Sequence, residues 1–169
     1  MKNVVIVGGG LAGLCSAIHL AHTGIPVCVI EKKQYPFHRV CGEYVSNEVT
    51  PYLKSLNIFP GELAPTRITQ FQLSAVNGKS SILPLDLGGF GISRYAFDNF
   101  LYEKAKAAGV DFLQNTEVTD VQFCNNQFEV SIGSKKMKAD VVIGAFGKRS
   151  KVDVTLKRRF INKRSPYVG

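Results

Sequence analysis

The residues best able to do chemistry are a glycine run and an acid near the start of the chain. Gly8-Gly9-Gly10-Leu11-Ala12-Gly13 fits the pattern G-x-G-x-x-G, and Glu31 stands eighteen positions beyond Gly13. In that pattern Gly8 permits a sharp turn and Gly10, lacking a Cβ, lets the backbone approach a pyrophosphate closely. Gly13 lets a following helix sit tightly on a sheet. The unpaired N–H groups and positive dipole end of that helix would face the phosphates. Glu31 could accept hydrogen bonds from both hydroxyls of an adenosine ribose. The glycines alone are a weak signal, because any tight turn uses them.

The surrounding elements supply the context. Val4 to Val7 is a β-branched run of the kind buried on both faces of a sheet. Leu11, Leu14, Cys15 and Ile18 then recur on one face of a helix, and Gly24 is placed to stop it. Val27 to Ile30 forms a second apolar run that ends at Glu31. A strand, a glycine turn, a helix and a second strand predict a βαβ unit with parallel strands. A dinucleotide site is the reading this arrangement favours.

Further along, residues 32–45 read as a loop, and Ser46 could cap a short helix running to Leu56. Segments 66–76 and 79–85 alternate around Asn77-Gly78, which predicts a hairpin. Gly88-Gly89-Phe90-Gly91 reads as a flexible connector. Ser93 is a good N-cap for a helix that buries Phe97, Phe100, Leu101 and Ala105 and stops at Gly109. Val110 to Leu113 reads as a strand. Strands around Asn125-Asn126 and a third near Met137 suggest an antiparallel meander, and Ala139 to Ile143 returns to a buried-strand pattern.

Composition excludes several classes. With 169 residues, 45% of them hydrophobic and 20% charged, the chain is neither disordered nor fibrous. No apolar run approaches the roughly 20 residues of a bilayer span, and MKNVVIVGGG lacks the long apolar region of a secretion signal. A cytoplasmic protein is expected. Of the net charge of +8, +7 falls between Lys148 and Arg164, in Lys148, Arg149, Lys151, Lys157, Arg158, Arg159, Lys163 and Arg164 against Asp153. No aromatic ladder or zinc-finger spacing accompanies this run, so nucleic acid is not the expected partner. Cys15, Cys28, Cys41 and Cys124 form no CxxC pair, and the three histidines have no ligand spacing, so no metal is expected. Cys15 and Cys28 read as small core residues.

The identity of the dinucleotide follows in part. An NADP site would want arginine near the ribose and no acid, so Glu31 argues against it. NAD and FAD both suit an acid. A plain NAD domain would continue with alternating strands and helices, whereas this chain inserts a loop, a hairpin and a meander before its next buried strand.

Three stretches carry a resemblance. Glu31 and Lys32 through Tyr35-Pro36 to Cys41-Gly42-Glu43, then Ile92-Ser93-Arg94-Tyr95-Ala96-Phe97-Asp98, then Val142-Ile143-Gly144-Ala145-Phe146-Gly147-Lys148-Arg149-Ser150 resemble FAD-dependent oxidoreductases of the geranylgeranyl reductase and aromatic hydroxylase superfamily. The resemblance spans about residues 3–155, and the Pro…Cys-Gly-Glu element is similar to the geranylgeranyl reductase branch. It implies an α/β fold: a Rossmann-like βαβ FAD-binding domain over residues 1–150 with a hairpin and a meander inserted, and the start of a truncated substrate domain over 151–169. It implies that Gly8, Gly10, Leu11, Ala12 and Gly13 hold the pyrophosphate, Glu31 the ribose and Lys32 the adenosine surroundings. Arg94 would reach the pyrophosphate and ribityl side, the Val118 backbone would pair with adenine, and Arg39, Cys41 and Gly42 would lie near the flavin. Gly147, in the third stretch, joins the cofactor-binding set. Read from the residues alone, Arg94 starts a helix where a fixed guanidinium can aim at a phosphate, or is an exposed helix-end arginine. Cys41 reads first as a small packing residue in a tight loop, with a redox-active thiol beside the flavin as the alternative.

Two departures stand out. Phe146 replaces an acid usual in the family, and the family runs on for a further couple of hundred residues, so the chain reads as an N-terminal fragment. The parent is expected to be an NAD(P)H-dependent flavin reductase of isoprenoid-like substrates or a flavin monooxygenase, acting on a small-molecule or lipid-like substrate, with no side chain named as acid or base. The alternatives are an inactive FAD- or ADP-binding fragment and an NAD-binding dehydrogenase domain.

Overall fold

A parallel sheet forms where the sequence is richest in β-branched residues. The computed structural model describes residues 2–147 and 151–162. Lys148, Arg149 and Ser150 of the third stretch, and Lys163 and Arg164 of the basic run, lie outside the described residues. The elements are β1 (Val4–Val7), α1 (Leu11–His22), β2 (Val27–Ile30), β3 (Tyr44–Ser46), α2 (Thr50–Ser55), β4 (Thr66–Ser74), β5 (Ser80–Gly91) and α3 (Arg94–Ala107). They continue with β6 (Asp111–Leu113), β7 (Val118–Cys124), β8 (Gln127–Ile132), β9 (Lys135–Ala139), β10 (Val141–Gly144) and α4 (Lys151–Thr155). The chain divides into two units, residues 1–35 with 105–169, and residues 36–104.

The first unit holds the expected βαβ. Its parallel sheet has the order β10-β1-β2-β6, with Val4 opposite Val27 and Val141, and Ile30 opposite Leu113. With partners on both sides, all four residues of β1 are buried, and each such side chain contributes about 1.5–3 kcal/mol relative to exposure. Leu14, Ala17 and Ile18 of α1 are fully buried. The meander β7-β8-β9 is antiparallel, as expected. Val118, Val130 and Ala139 from it share one apolar cluster with Val5, Val7, Ile30 and Val152.

The last strand differs from the expected Ala139–Ile143. Ala139 belongs to β9, opposite Phe128, and Asp140 turns the chain before β10 begins at Val141. Asn3 and Asp140 hold each other there: the Asn3 N–H donates to Asp140 Oδ2 and the Asp140 N–H to Asn3 Oδ1, both at 2.8 Å. As an edge strand β10 is also only half covered, with Val141 39% exposed. Cys15 and Cys28 are likewise half-buried rather than core residues.

The second unit is a three-stranded antiparallel sheet of order β3-β5-β4. Its hairpin turns at Asn77-Gly78, where Gly78 has φ +81° and Asn77 Oδ1 accepts from the Lys79 N–H at 3.1 Å. Gly88 to Gly91 is no connector. It is the end of β5, paired with β3 and with β4 across a bulge near Ile68. The glycines serve close approach: a Cβ on Gly89 would meet the Tyr44 ring and come within 2.5 Å of the Val45 carbonyl oxygen. Phe90, inside that run, is buried and meets Phe59 and Phe97 edge-on. The expected loop 32–45 yields its last two residues to β3. The helix expected from Ser46 to Leu56 is split into a 3-10 turn over Asn47–Val49, capped by Ser46, and α2, whose first turn takes Pro51.

In α3 the Ser93 hydroxyl accepts from the Tyr95 N–H at 3.2 Å, and Phe97, Phe100, Leu101 and Ala105 are buried as expected. Gly109, at φ +85°, ends it with the Val110 N–H returning to the Ala105 carbonyl at 3.0 Å. Among the described residues no helix is long and apolar enough to cross a membrane.

Candidate functional site

The glycine turn joins the end of β1 to the start of α1. Gly8 has φ +105°, and a Cβ there would lie 2.5 Å from the Ala145 carbonyl oxygen and 2.8 Å from Phe146 Cα. A Cβ on Gly13 would fall on the Gly8 carbonyl oxygen, so the first turn of α1 sits directly over the strand end. Gly10 is the N-cap of α1, extended at φ −82°, and it offers no side-chain cap. The first turn carries no acidic residue, so neither a cap nor a carboxylate of that turn competes for the N–H groups at this end. Leu11 is half-buried and Ala12 exposed.

Glu31 closes β2 directly beside this turn. It is 4% exposed, and its carboxylate accepts from the Gly9 N–H at 2.8 Å and the Lys33 N–H at 3.1 Å. These charge-assisted bonds tie the acid to the glycine turn. Tyr35, placed from sequence only within the 32–45 loop and the first stretch of the resemblance, completes the arrangement: its hydroxyl donates to the Gly9 carbonyl. Gly8, Gly10, Gly13 and Glu31 are thus brought together in the first unit, with Tyr35 as a residue the sequence reading missed. The signal was an aromatic residue four positions after the acid, directly after the polar stretch Lys32-Lys33-Gln34.

The same unit places Lys32 at the surface and Val118 buried at the start of β7, where the register shifts before Asp120. Gly147 has φ +76°. Phe146, at the position where the resemblance implies an acid, is half-buried, packs against the apolar cluster and lines a hollow with Val121, Phe128, Val142 and Val152.

Arg39 and Arg94 come together in the second unit around a residue with no role assigned from sequence, and Cys41 lies beside Arg94. Asp98, 1% exposed, accepts from Arg94 Nε at 2.7 Å, from a second Arg94 nitrogen at 2.9 Å and from Arg39 Nε at 2.9 Å. Arg94 and Asp98 are four apart on α3 and share a face. Arg94 is therefore a held guanidinium rather than an exposed helix-end residue. Burial pushes its pKa down, but the hydrogen bonds and charge of Asp98, with those of Cys41, outweigh it and hold the group above its usual value. Gly42 is exposed and open. Cys41 is exposed rather than packed; the Glu43 N–H donates to its sulfur at 3.4 Å, and the Glu43 carboxylate accepts the Arg94 N–H at 3.3 Å.

The cysteines give a direct check on these environments. Burial, then the charge of Asp111, push the Cys28 thiol up, and only the thiolate attacks an alkylating agent. Iodoacetamide at pH 8 is expected to label exposed Cys41 first and Cys28 at least about tenfold more slowly, read by peptide mass spectrometry.

A parallel βαβ with a glycine turn at an uncapped helix start, and a buried acid closing its second strand, defines a dinucleotide-binding domain of the Rossmann type. Residues 3–39 match the family model described as FAD binding domain. Digeranylgeranylglycerophospholipid reductase 1 of Methanosphaera stadtmanae is 31% identical over 97% of this chain and 41% of its own length. The halogenase CmlS, a flavin-dependent enzyme, shares the fold at a TM-score of 0.79 and 22% identity, over 92% of this chain and 31% of that one. CtdE, solved with FAD and a substrate, gives a TM-score of 0.73 at 26% identity, over 89% and 39%. The chain is thus similar to FAD-binding enzymes over nearly its whole length, with the mixed α/β fold expected from its sequence. The chain spans about two-fifths of the length of most curated relatives it matches.

Proposed function

We propose that the chain binds the FAD of a longer flavin-dependent oxidoreductase, with the diphosphate at the start of α1. The observation that carries this reading is the buried Glu31 carboxylate bonded to the glycine turn, beside a helix start with neither a side-chain cap nor an acid in its first turn. Gly8, Gly10, Leu11, Ala12 and Gly13 would offer backbone to the pyrophosphate, where a dipole and N–H groups favour an anion. Glu31, a carboxylate able to accept from several donors at once, would take the ribose hydroxyls, with Lys32 near the adenosine and the Val118 backbone on adenine. Arg39, Cys41, Gly42, Arg94 and Gly147 would complete the cofactor-binding set, Arg94 toward the pyrophosphate and ribityl side. The bound flavin would supply hydride and electron chemistry, and the protein position and electrostatics.

For the whole protein we propose NAD(P)H as reductant, a small-molecule or lipid-like substrate and a cytoplasmic location. The similarity to a digeranylgeranylglycerophospholipid reductase favours reduction of a carbon–carbon double bond over hydroxylation.

Thermal unfolding with added nucleotide tests the site. FAD or ADP at a hundred times its Kd should add about 2.7 kcal/mol, a rise in Tm of about 5–10 °C for a chain of this size, and NADP should add nothing. Protection by NADH that FAD fails to match would instead identify a dehydrogenase domain.

A further inference from the structure

We propose that Tyr35 is a positioning residue for the diphosphate: its hydroxyl fixes the peptide between Gly9 and Gly10 and so presents the Gly10 N–H at the start of α1. The inference rests on the dinucleotide reading above and assigns a residue which that reading leaves out.

The turn needs such a device. Glycine has more backbone freedom than any other residue, and three in succession would leave the N–H groups of the turn without fixed direction. Two side chains from the segment that closes and follows β2 remove that freedom. Glu31 accepts from the Gly9 N–H, which fixes the peptide between Gly8 and Gly9. Tyr35 donates to the Gly9 carbonyl, which fixes the next one. In a trans peptide the C=O and the following N–H point in opposite directions. Holding the Gly9 carbonyl on Tyr35 therefore turns the Gly10 N–H to the far side of that peptide.

Tyr35 is built to hold this position. It is 7% exposed, its ring stands edge-on to Phe112 at 6.2 Å and 86°, and its own N–H donates to Gln114 Oε1 at 2.8 Å. Ring and backbone are anchored separately, so the hydroxyl is a fixed point. Gly9 is the complement of that point: a Cβ there would collide with the Tyr35 hydroxyl and come within 3.2 Å of Glu31 Cβ. Binding to a turn already ordered avoids the cost of ordering it with the ligand.

Tyr35→Phe keeps the ring and deletes the hydroxyl. In the full 169-residue chain it should weaken ADP and FAD binding about tenfold, the effect of one lost hydrogen bond with its partner left unmet. Amide hydrogen exchange in the ligand-free protein should quicken at residues 9–11 and stay unchanged through the rest of β1 and α1. Ile58→Val is the second variant. It trims a buried side chain that touches no part of the turn, so it should lower Tm yet keep ADP affinity within about twofold. Unchanged affinity in Tyr35→Phe, exchange raised evenly across the unit, or an equal affinity loss in Ile58→Val would overturn the assignment. A wild-type chain that binds neither nucleotide would instead overturn the dinucleotide reading on which the assignment rests.

Discussion

Gly8→Ala is expected to destabilise the chain by about 4 kcal/mol, from backbone strain and overpacking together. The residue sits at φ +105°, a conformation that costs any L side chain, and the new Cβ would lie 2.5 Å from the Ala145 carbonyl oxygen and 2.7 Å from its carbon. Neither neighbour can give way. The Ala145 N–H donates to the Val7 carbonyl at 2.8 Å and the Gly8 N–H to the Ile30 carbonyl at 2.9 Å, so both backbones are tied into the sheet. Gly24→Ala isolates the strain component, because Gly24 has φ +77° but nothing within 4 Å of its Cβ position. It should cost only about 1 kcal/mol. Urea unfolding would separate the two as shifts of midpoint at constant slope. Equal midpoints for the two variants would show that the backbone contact with Ala145 does not constrain the turn.

What could be read from sequence was what is local. The Val4–Val7 run, the glycines and the Leu11, Leu14, Ile18 face lie within a few residues of one another, and their periodicity alone specifies strand, turn and helix. Gly88 to Gly91 failed the same treatment. A glycine cluster says that side chains are absent but not why, and here the reason is the Tyr44 ring and the Val45 and Ile68 carbonyls on neighbouring strands. The break at Asp140 depends on Asn3, 137 positions away, a pairing that no local pattern shows. The site divides in the same way. Glu31 was legible because it closes a strand at the spacing of a known fingerprint, whereas Tyr35 acts only because the chain after β2 folds back onto Gly9. Arg94 and Asp98 stand one helical turn apart in the sequence, yet nothing local says that Asp98 is buried and shared with Arg39.

Asp98→Asn is therefore expected to cost about 2–3 kcal/mol, less than a fully buried pair because its partners are partly solvated. Asparagine keeps the shape but loses the charge, and its NH2 group would replace one of the two oxygens that now face guanidinium nitrogens. Asp98 Oδ1 receives Arg94 Nε, and Oδ2 receives both Arg94 and Arg39, so either orientation sets donor against donor. The arginine side chains are 28% and 15% exposed, which lets water recover part of the loss. Freed from Asp98, Arg39 should become a faster site of tryptic cleavage, because its anchor to α3 is gone. The exposed pair of Lys136 and Glu129, 2.7 Å apart, is the control. Glu129 is held below and Lys136 above their usual values by hydrogen bonding to each other, but solvent screens the pair, so Glu129→Gln should leave the unfolding midpoint where it is. Should Asp98→Asn unfold at the same midpoint as Glu129→Gln, with trypsin no quicker at Arg39, the two arginines would have to be held by something other than this carboxylate.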